Sequence, residues 1–365
     1  MRATYVLEGT FTAEQPLATC SKDLKDANER MKGKNVAIPV PSTKTPHGTR
    51  LMFPATGIRG KLRRCLRDAL RQAVIDKTGN EKPLSLDQHY LLTLGGIKAS
   101  GEESKSTVAL EAMWREKNPL LSLFGAGAAG VLGFVQGRLS VGNAICQDAS
   151  EPVTFSGARS DDLFRNREQV AFLSDEDVQA LISRSEGNRD ASTIRTSIKA
   201  LEKNVKAEKK KGHDDAVSAL QQELEAANAE LSSVLTDSGA SSVSVGMPLA
   251  GFQAIPAGSI MDQSMIIANG TLVELGALLA ALEHFAAFPI IGAHFATGCG
   301  QVSGQWEVFK TVPGRGKVSM GIVRFQPFSA MVEIEAAPDS DLHAAQLAFR
   351  EYLAGEGLDL RIPSV

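Results

Sequence analysis

The residues best placed to do chemistry lie in Thr56 to Arg71, TGIRGKLRRCLRDALR, where Arg59, Arg63, Arg67 and Arg71 recur at every fourth position. The chemistry they suggest is anion binding. Four-residue spacing aligns guanidinium groups along a helix, and the first turn of a helix offers backbone N–H groups at the positive end of its dipole. Lys61 and Arg64 add charge beside that end. Two further glycine turns sit next to polar or basic side chains, Gly137-Arg138 and Gly298 to Gln301. Glycine lets backbone approach a ligand closely, and amides in such turns bind anions without side-chain charge. Phosphate unites the three places. A solvated, arginine-rich surface helix is the plainer reading of the first.

Catalytic patterns are weak by comparison. No serine, threonine or cysteine has the context of an activated nucleophile, and the six histidines show no H-E-x-x-H spacing. His284 and His294, at a helix end and the turn after it, read as structural or surface residues. Cys20, Cys65, Cys146 and Cys299 are too scattered for a zinc site or a disulfide framework and read as buried thiols. Asp23 and Asp26 could hold a divalent ion and assist RNA cleavage, yet among Lys22, Lys25, Glu29 and Arg30 they read as solvated charge. Gly125, Gly127 and Gly130 match the dinucleotide fingerprint, with Asp148 near the distance of a ribose ligand. That fingerprint needs a helix beginning at the glycines, and Gly133, Gly137 and Gly142 would interrupt any such helix. A loop feeding a strand fits better. No metal, no cofactor and no catalytic residue are expected.

Composition bounds the rest. A chain of 365 residues with 43% hydrophobic content supports a substantial core and two structural units. No apolar run is long enough to span a bilayer, and MRATYVLEGT lacks a signal-peptide core, so a cytoplasmic location is expected. A net charge of −3 argues against a protein that coats nucleic acid over its whole surface, though a local basic groove remains open. With 5% aromatic residues, no base-stacking platform is evident, so nucleic-acid contact would rest on phosphates and backbone amides.

The elements that must position these residues are set by periodicity. Ala3 to Phe11 alternates as a strand, and a long polar connection, Ala13 to Arg50, leads to the arginine helix, whose Ile58, Leu62, Leu66 and Leu70 form an apolar stripe. Gly95 to Ser106 reads as an exposed loop. Ser174 can cap a separate helix, and two amphipathic limbs turning near Gly212-His213 form a helical hairpin. Lysines at 199 to 211 on its first limb would pair with Glu223, Glu225 and Glu230 on its second. Thr271 to Phe288 is an apolar helix, Gln305 to Val312 and two runs in Val318 to Ala336 are strands, and Leu342 to Leu353 closes as a helix. This order is α+β, compatible with a ferredoxin-like or RNA-recognition-motif (RRM) core carrying insertions. The expected division is 1–154 with 256–365 as an RRM-like palm, and 155–255 as a mainly helical insertion.

FPATGIRGKLRR resembles the G-x-x-[LI]-[KR]-G-x-[LI]-R motif of the RAMP superfamily, and LFGAGAAGVLGFVQGRLSVGNA resembles its LFG and G-R-L-x-V segment. AIPAGSIMDQSMII, the ELGALLAALEHF helix and the turn GAHFATGCGQV are similar to the end of the superfamily's backbone subunits. The resemblance covers about half the chain. It implies a palm with fingers and thumb, and a subunit that binds CRISPR RNA in a class 1 interference complex, most similar to the type IV (Csf-type) backbone subunit. Copies would stack head to tail on the guide RNA beside other CRISPR subunits, presenting bases to a target strand, expected to be DNA. The RNA-binding residues implied are Cys20, Ser21, Lys22, Lys25, Thr56, Gly57, Arg59, Gly60, Lys61, Arg63, Arg64, Arg138, Gly298, Gly300 and Gln301. Met247 or Phe252 would lie near a thumb tip that wedges the guide. Type III backbone subunits place a cleaving aspartate in a short glycine-rich loop after the first strand. ATCSKDLKDANER is not such a context, so no nuclease activity is expected.

Overall fold

The computed structural model describes residues 2–19, 37–97, 106–159, 167–211, 213–239 and 247–364. Strand β1, Ala3–Ala13, is central because it is apolar on one face along its whole length: Tyr5, Leu7, Phe11 and Ala13 are buried. It pairs antiparallel with β8, Ile260–Gly270, on one side and with β9, Val302–Val312, on the other. Phe11 thereby stands opposite Met261 and Gly304, and Leu7 opposite Met265 and Val308. The sheet continues through β10, Gly316–Phe325, to β11, Glu333–Glu335. On the other side it continues through β5, Ala144–Cys146, β3, Gly48–Phe53, and β2, Ser42–Thr45, with β4, Leu139–Val141, also on β8. These strand pairings are all antiparallel.

Helices cover the apolar face. Helix α1, Ala55–Thr78, packs Ile58, Leu62, Leu66 and Leu70 inward and ends at Gly79 in the left-handed conformation (φ 67°). Two short helices come next, α2, Leu86–Leu94, and α3, Val108–Lys117, and then α4, Pro119–Phe124. The helix Leu272–Ala287 is apolar nearly all round and therefore sits between α1 and the C-terminal helix Asp341–Ala354, buried on both sides. Gly276 permits that contact, since a Cβ there would lie 2.1 Å from the Ala345 carbonyl oxygen. This mixed α+β arrangement, with an antiparallel sheet and helices on one face, agrees with the expected class. No described helix is long and apolar enough to cross a membrane.

The described chain divides into two compact units, Met1–Phe155 with Gly251–Val365, and Ser156–Ala250. Strands β6, Val153–Arg159, and β7, Met247–Ala254, pair as a two-stranded sheet of their own. The second unit holds two long helices, α5, Asp175–Lys211, and α6, Asp214–Asp237. The C-terminal pair of helices in the first unit are accordingly α7, Leu272–Ala287, and α8, Asp341–Ala354.

Three expectations need correction. The connection after β1 is not unstructured throughout, because β2 and β3 form a hairpin within it: Thr43, Thr45, Thr49 and Leu51 favour extended backbone, and Gly48 (φ 104°) turns it. Ser174 does cap a helix, accepting from the Asp177 N–H at 3.2 Å, but α5 runs unbroken from there into the first limb of the hairpin. Among the described residues no ion pair joins the lysines of α5 to Glu223, Glu225 or Glu230. The seam between the helices is apolar, with Ile194, Ile198, Leu201 and Val205 half-buried in α5 and Leu220, Leu224 and Leu231 in α6, leaving the long charged side chains to solvent.

Candidate nucleic-acid interface

The arginines of α1 do not form one cationic face. Arg63 is buried at 6% exposure, and its guanidinium donates to the carbonyl oxygens of Leu91 (2.7 Å), Leu92 (2.7 Å) and Gly125 (3.0 Å). Burial, with repulsion from Arg59, pushes its pKa down to about 10. It cements α1 to the ends of α2 and α4, and its donors are committed to backbone carbonyls instead of standing free on the outer face of the helix, contrary to the expectation. Arg59, on the same side one turn earlier, donates to the Phe124 carbonyl at 2.6 Å and lies over the Phe124 ring. Arg67 pairs with Asp68 at 2.9 Å and donates to Thr93 Oγ1.

The first turn of α1 is placed differently. Pro54 is its N-cap, and the Ala55 N–H is already taken by Asn143 Oδ1 at 2.8 Å, so this one amide is not available to an anion. Thr56 and Arg64 are exposed, and Gly60 is half-exposed with Arg64 running past it. Gly57 must be glycine here because a Cβ would meet the Phe53 ring at 2.8 Å. Lys61 points across to the end of α7, its ammonium over the rings of Phe285 (5.6 Å) and Phe288 (5.0 Å). Burial lowers its pKa from the ordinary lysine value.

The turn near Gly298 comes to the same end of the first unit. The Ala293 N–H bonds the Ala18 carbonyl, the Gly300 N–H bonds the Pro16 carbonyl, and a Cβ on Gly292 would touch the Phe53 ring just before α1. Gly298 has open space around it, whereas Gly300 is buried and Gln301 uses its carbonyl to hold Glu14 and Gln15. Phe295, 54% exposed, packs edge-on to Phe288, which joins this loop to Lys61. Cys20, Ser21, Lys22 and Lys25, and with them Asp23 and Asp26, lie outside the described residues.

An aromatic stack at this end has no counterpart in the sequence expectations. The rings of Phe155, Phe252 and His294 stack in a row: Phe155 to Phe252 at 5.1 Å and 15°, Phe252 to His294 at 3.7 Å and 4°. His294 is exposed and holds a left-handed backbone (φ 62°), uncommon for a residue with a Cβ. Low aromatic content concealed a local stack assembled from three distant segments. Met247 is in β7, five positions before Phe252.

Arg138 stands elsewhere. Its guanidinium donates to the Asn269 carbonyl and lies 3.6 Å from the buried Glu274, whose carboxylate also accepts from Ser122 and from the Thr271 N–H in a capping box at the start of α7. These contacts make Arg138 a brace for that junction. The Gly125–Gly130 loop is no dinucleotide cradle. Its amides at 125, 126, 127 and 128 are spent on the carbonyls of Leu121, Val135 and Gly95, and only a three-residue 3-10 turn comes after it. Among the described residues no group of three His, Cys, Asp or Glu side chains is placed to share a metal ion.

No protein-family model matches the chain, and no curated protein does. Among solved structures it is similar to a chain described as "Type IV-B CRISPR Complex", with a TM-score of 0.39 and 14% identity, over 86% of this chain and 93% of that one.

Proposed function

We propose that this chain is a non-catalytic backbone subunit of a class 1 CRISPR interference complex that holds guide RNA by its sugar-phosphate and leaves bases free to pair. The observation that carries the reading is the convergence at one end of the first unit. There the exposed start of α1, with Thr56, Gly60 and Arg64, lies near the Gly292–Gln301 loop and the Phe155–Phe252–His294 stack. An exposed cation, Arg64, and open glycine backbone suit phosphate, and parallel rings suit a base, the two contacts single-stranded RNA offers. The sequence motifs that resemble the RAMP superfamily run through both the α1 and the loop segments.

The order of elements supports a ferredoxin-like palm. Strand β1, helix α1, strands β4/β5 and β8, helix α7 and strand β9 trace a β-α-β-β-α-β course, with β9-β1-β8-β5 as spatial order. Copies of the chain along one RNA, other CRISPR subunits and a target strand are the partners of this reading. The RNA is held, not cut.

The test is to express the full chain with a guide-encoding array and sequence the RNA that copurifies. Repeat-derived RNA of uniform length is expected, and it should be lost from Thr56→Asp with Arg64→Glu, two exposed positions. Absence of RNA from the parent protein, or unchanged RNA on the double variant, overturns the assignment.

A further inference from the structure

Arg59 faces a cavity of about 350 Å³ between α1 and the Phe124–Gly137 segment, lined also by Arg63, Leu94, Phe134 and Gly127. Two guanidinium groups border it, and among the described residues neither is paired with a carboxylate; their partners are carbonyl oxygens, which carry no compensating charge. Uncompensated cations at a partly desolvated site create a demand for an anion. Burial depresses both pKa values, as expected where no counter-charge holds the proton.

The walls say what kind of anion. Phe134 is 74% exposed and Leu94 68%, two large apolar side chains on the rim of a cationic cavity. The volume lies at the small end for ligand pockets, yet it exceeds what a lone phosphate fills. The wall is doubled backbone, brought together where a Cβ on Gly137 would sit 2.5 Å from the Leu123 carbonyl. Gly127, on the lining, is open, its nearest neighbour 4.0 Å from where a Cβ would stand.

We propose that this cavity binds one phosphorylated nucleoside, with its phosphate on Arg59 and its ring against Phe134. The cavity shares no lining residue with the Gly292–Gln301 loop or the aromatic stack, and the proposal does not rest on the guide-RNA reading. A free nucleotide and a nucleotide within an RNA strand share this chemistry.

Calorimetric titration of the nucleic-acid-free full chain with AMP, UMP, adenosine, inorganic phosphate and a 5′-phosphorylated hexaribonucleotide tests it. AMP or UMP should bind saturably, and adenosine and phosphate about tenfold or more weaker. Phe134→Ala, at an exposed position that the fold does not need, and Arg59→Gln should each weaken binding by about tenfold. Tight mononucleotide binding identifies a free nucleotide as the occupant. Binding of the hexamer alone, lost with Phe134→Ala, identifies a strand. No saturable binding by any nucleotide, or binding unchanged in both variants, overturns the proposal. If Arg64→Glu abolishes hexamer binding while Phe134→Ala and Arg59→Gln leave it intact, the pocket fails and the guide-RNA reading survives.

Discussion

His294 lies flat on Phe252, ring centroids 3.7 Å apart and planes 4° from parallel. Phe11 and Trp306, in the core around β1, meet edge-on instead, at 89°. Parallel stacking is the geometry in which one more flat ring can be added, and a left-handed backbone at His294 holds the ring there.

His294→Gly should therefore separate binding from stability. Glycine adopts a φ of 62° without strain, so the thermal midpoint should not fall, while affinity for single-stranded RNA drops about tenfold with loss of one stacking surface. Filter binding and thermal melts on the same preparation check both halves. An unchanged affinity removes the stack from the interface.

Arg63 and Arg64 are neighbours with opposite duties. Arg63→Met leaves the carbonyls of Leu91, Leu92 and Gly125 without their donor in a buried place and should lower unfolding free energy by about 3 kcal/mol. Arg64→Met, on the exposed side, should change it by less than about 0.5 kcal/mol yet weaken RNA binding. Urea denaturation of the two variants decides; equal stability would mean the carbonyls find other partners.

Burial pushes the Cys65 thiol from 9.0 up to about 11. The unfolded chain releases that proton first, so the thiol's contribution is complete below pH 9 and is lost as pH rises toward 11. Comparing the parent with Cys65→Ala isolates this group from Tyr5 and Arg63, which also titrate at high pH. The parent's advantage should shrink on the order of 1–2 kcal/mol between about pH 8 and pH 10.5. A constant difference across that range would show the thiol to be no less acidic folded than free.

Much of the architecture was legible because it is written locally. A period of two in Ala3 to Phe11 and a period near 3.6 in Ile58, Leu62, Leu66 and Leu70 appear as β1 and the buried side of α1. Ser174 and Thr271 are where helices begin, since capping needs only a hydroxyl and an amide three residues on. The β2–β3 hairpin was hidden because strand Lys44 and Arg50 gave the segment the look of solvated loop.

Charge is a property of the sequence, and exposure is not. Composition and spacing identified the arginines of Thr56 to Arg71 as a possible phosphate seat, and they could go no further. Only packing decided that Arg63 is buried against the ends of α2 and α4, that Lys61 rests on Phe285 and Phe288, and that Arg59 turns to a cavity while Arg64 stays outside. The Phe155–Phe252–His294 stack was beyond sequence for the same reason. Its three rings come from segments more than forty residues apart, and the contact between them is created by the strand pairing and loop docking that bring those segments together, not by any local pattern.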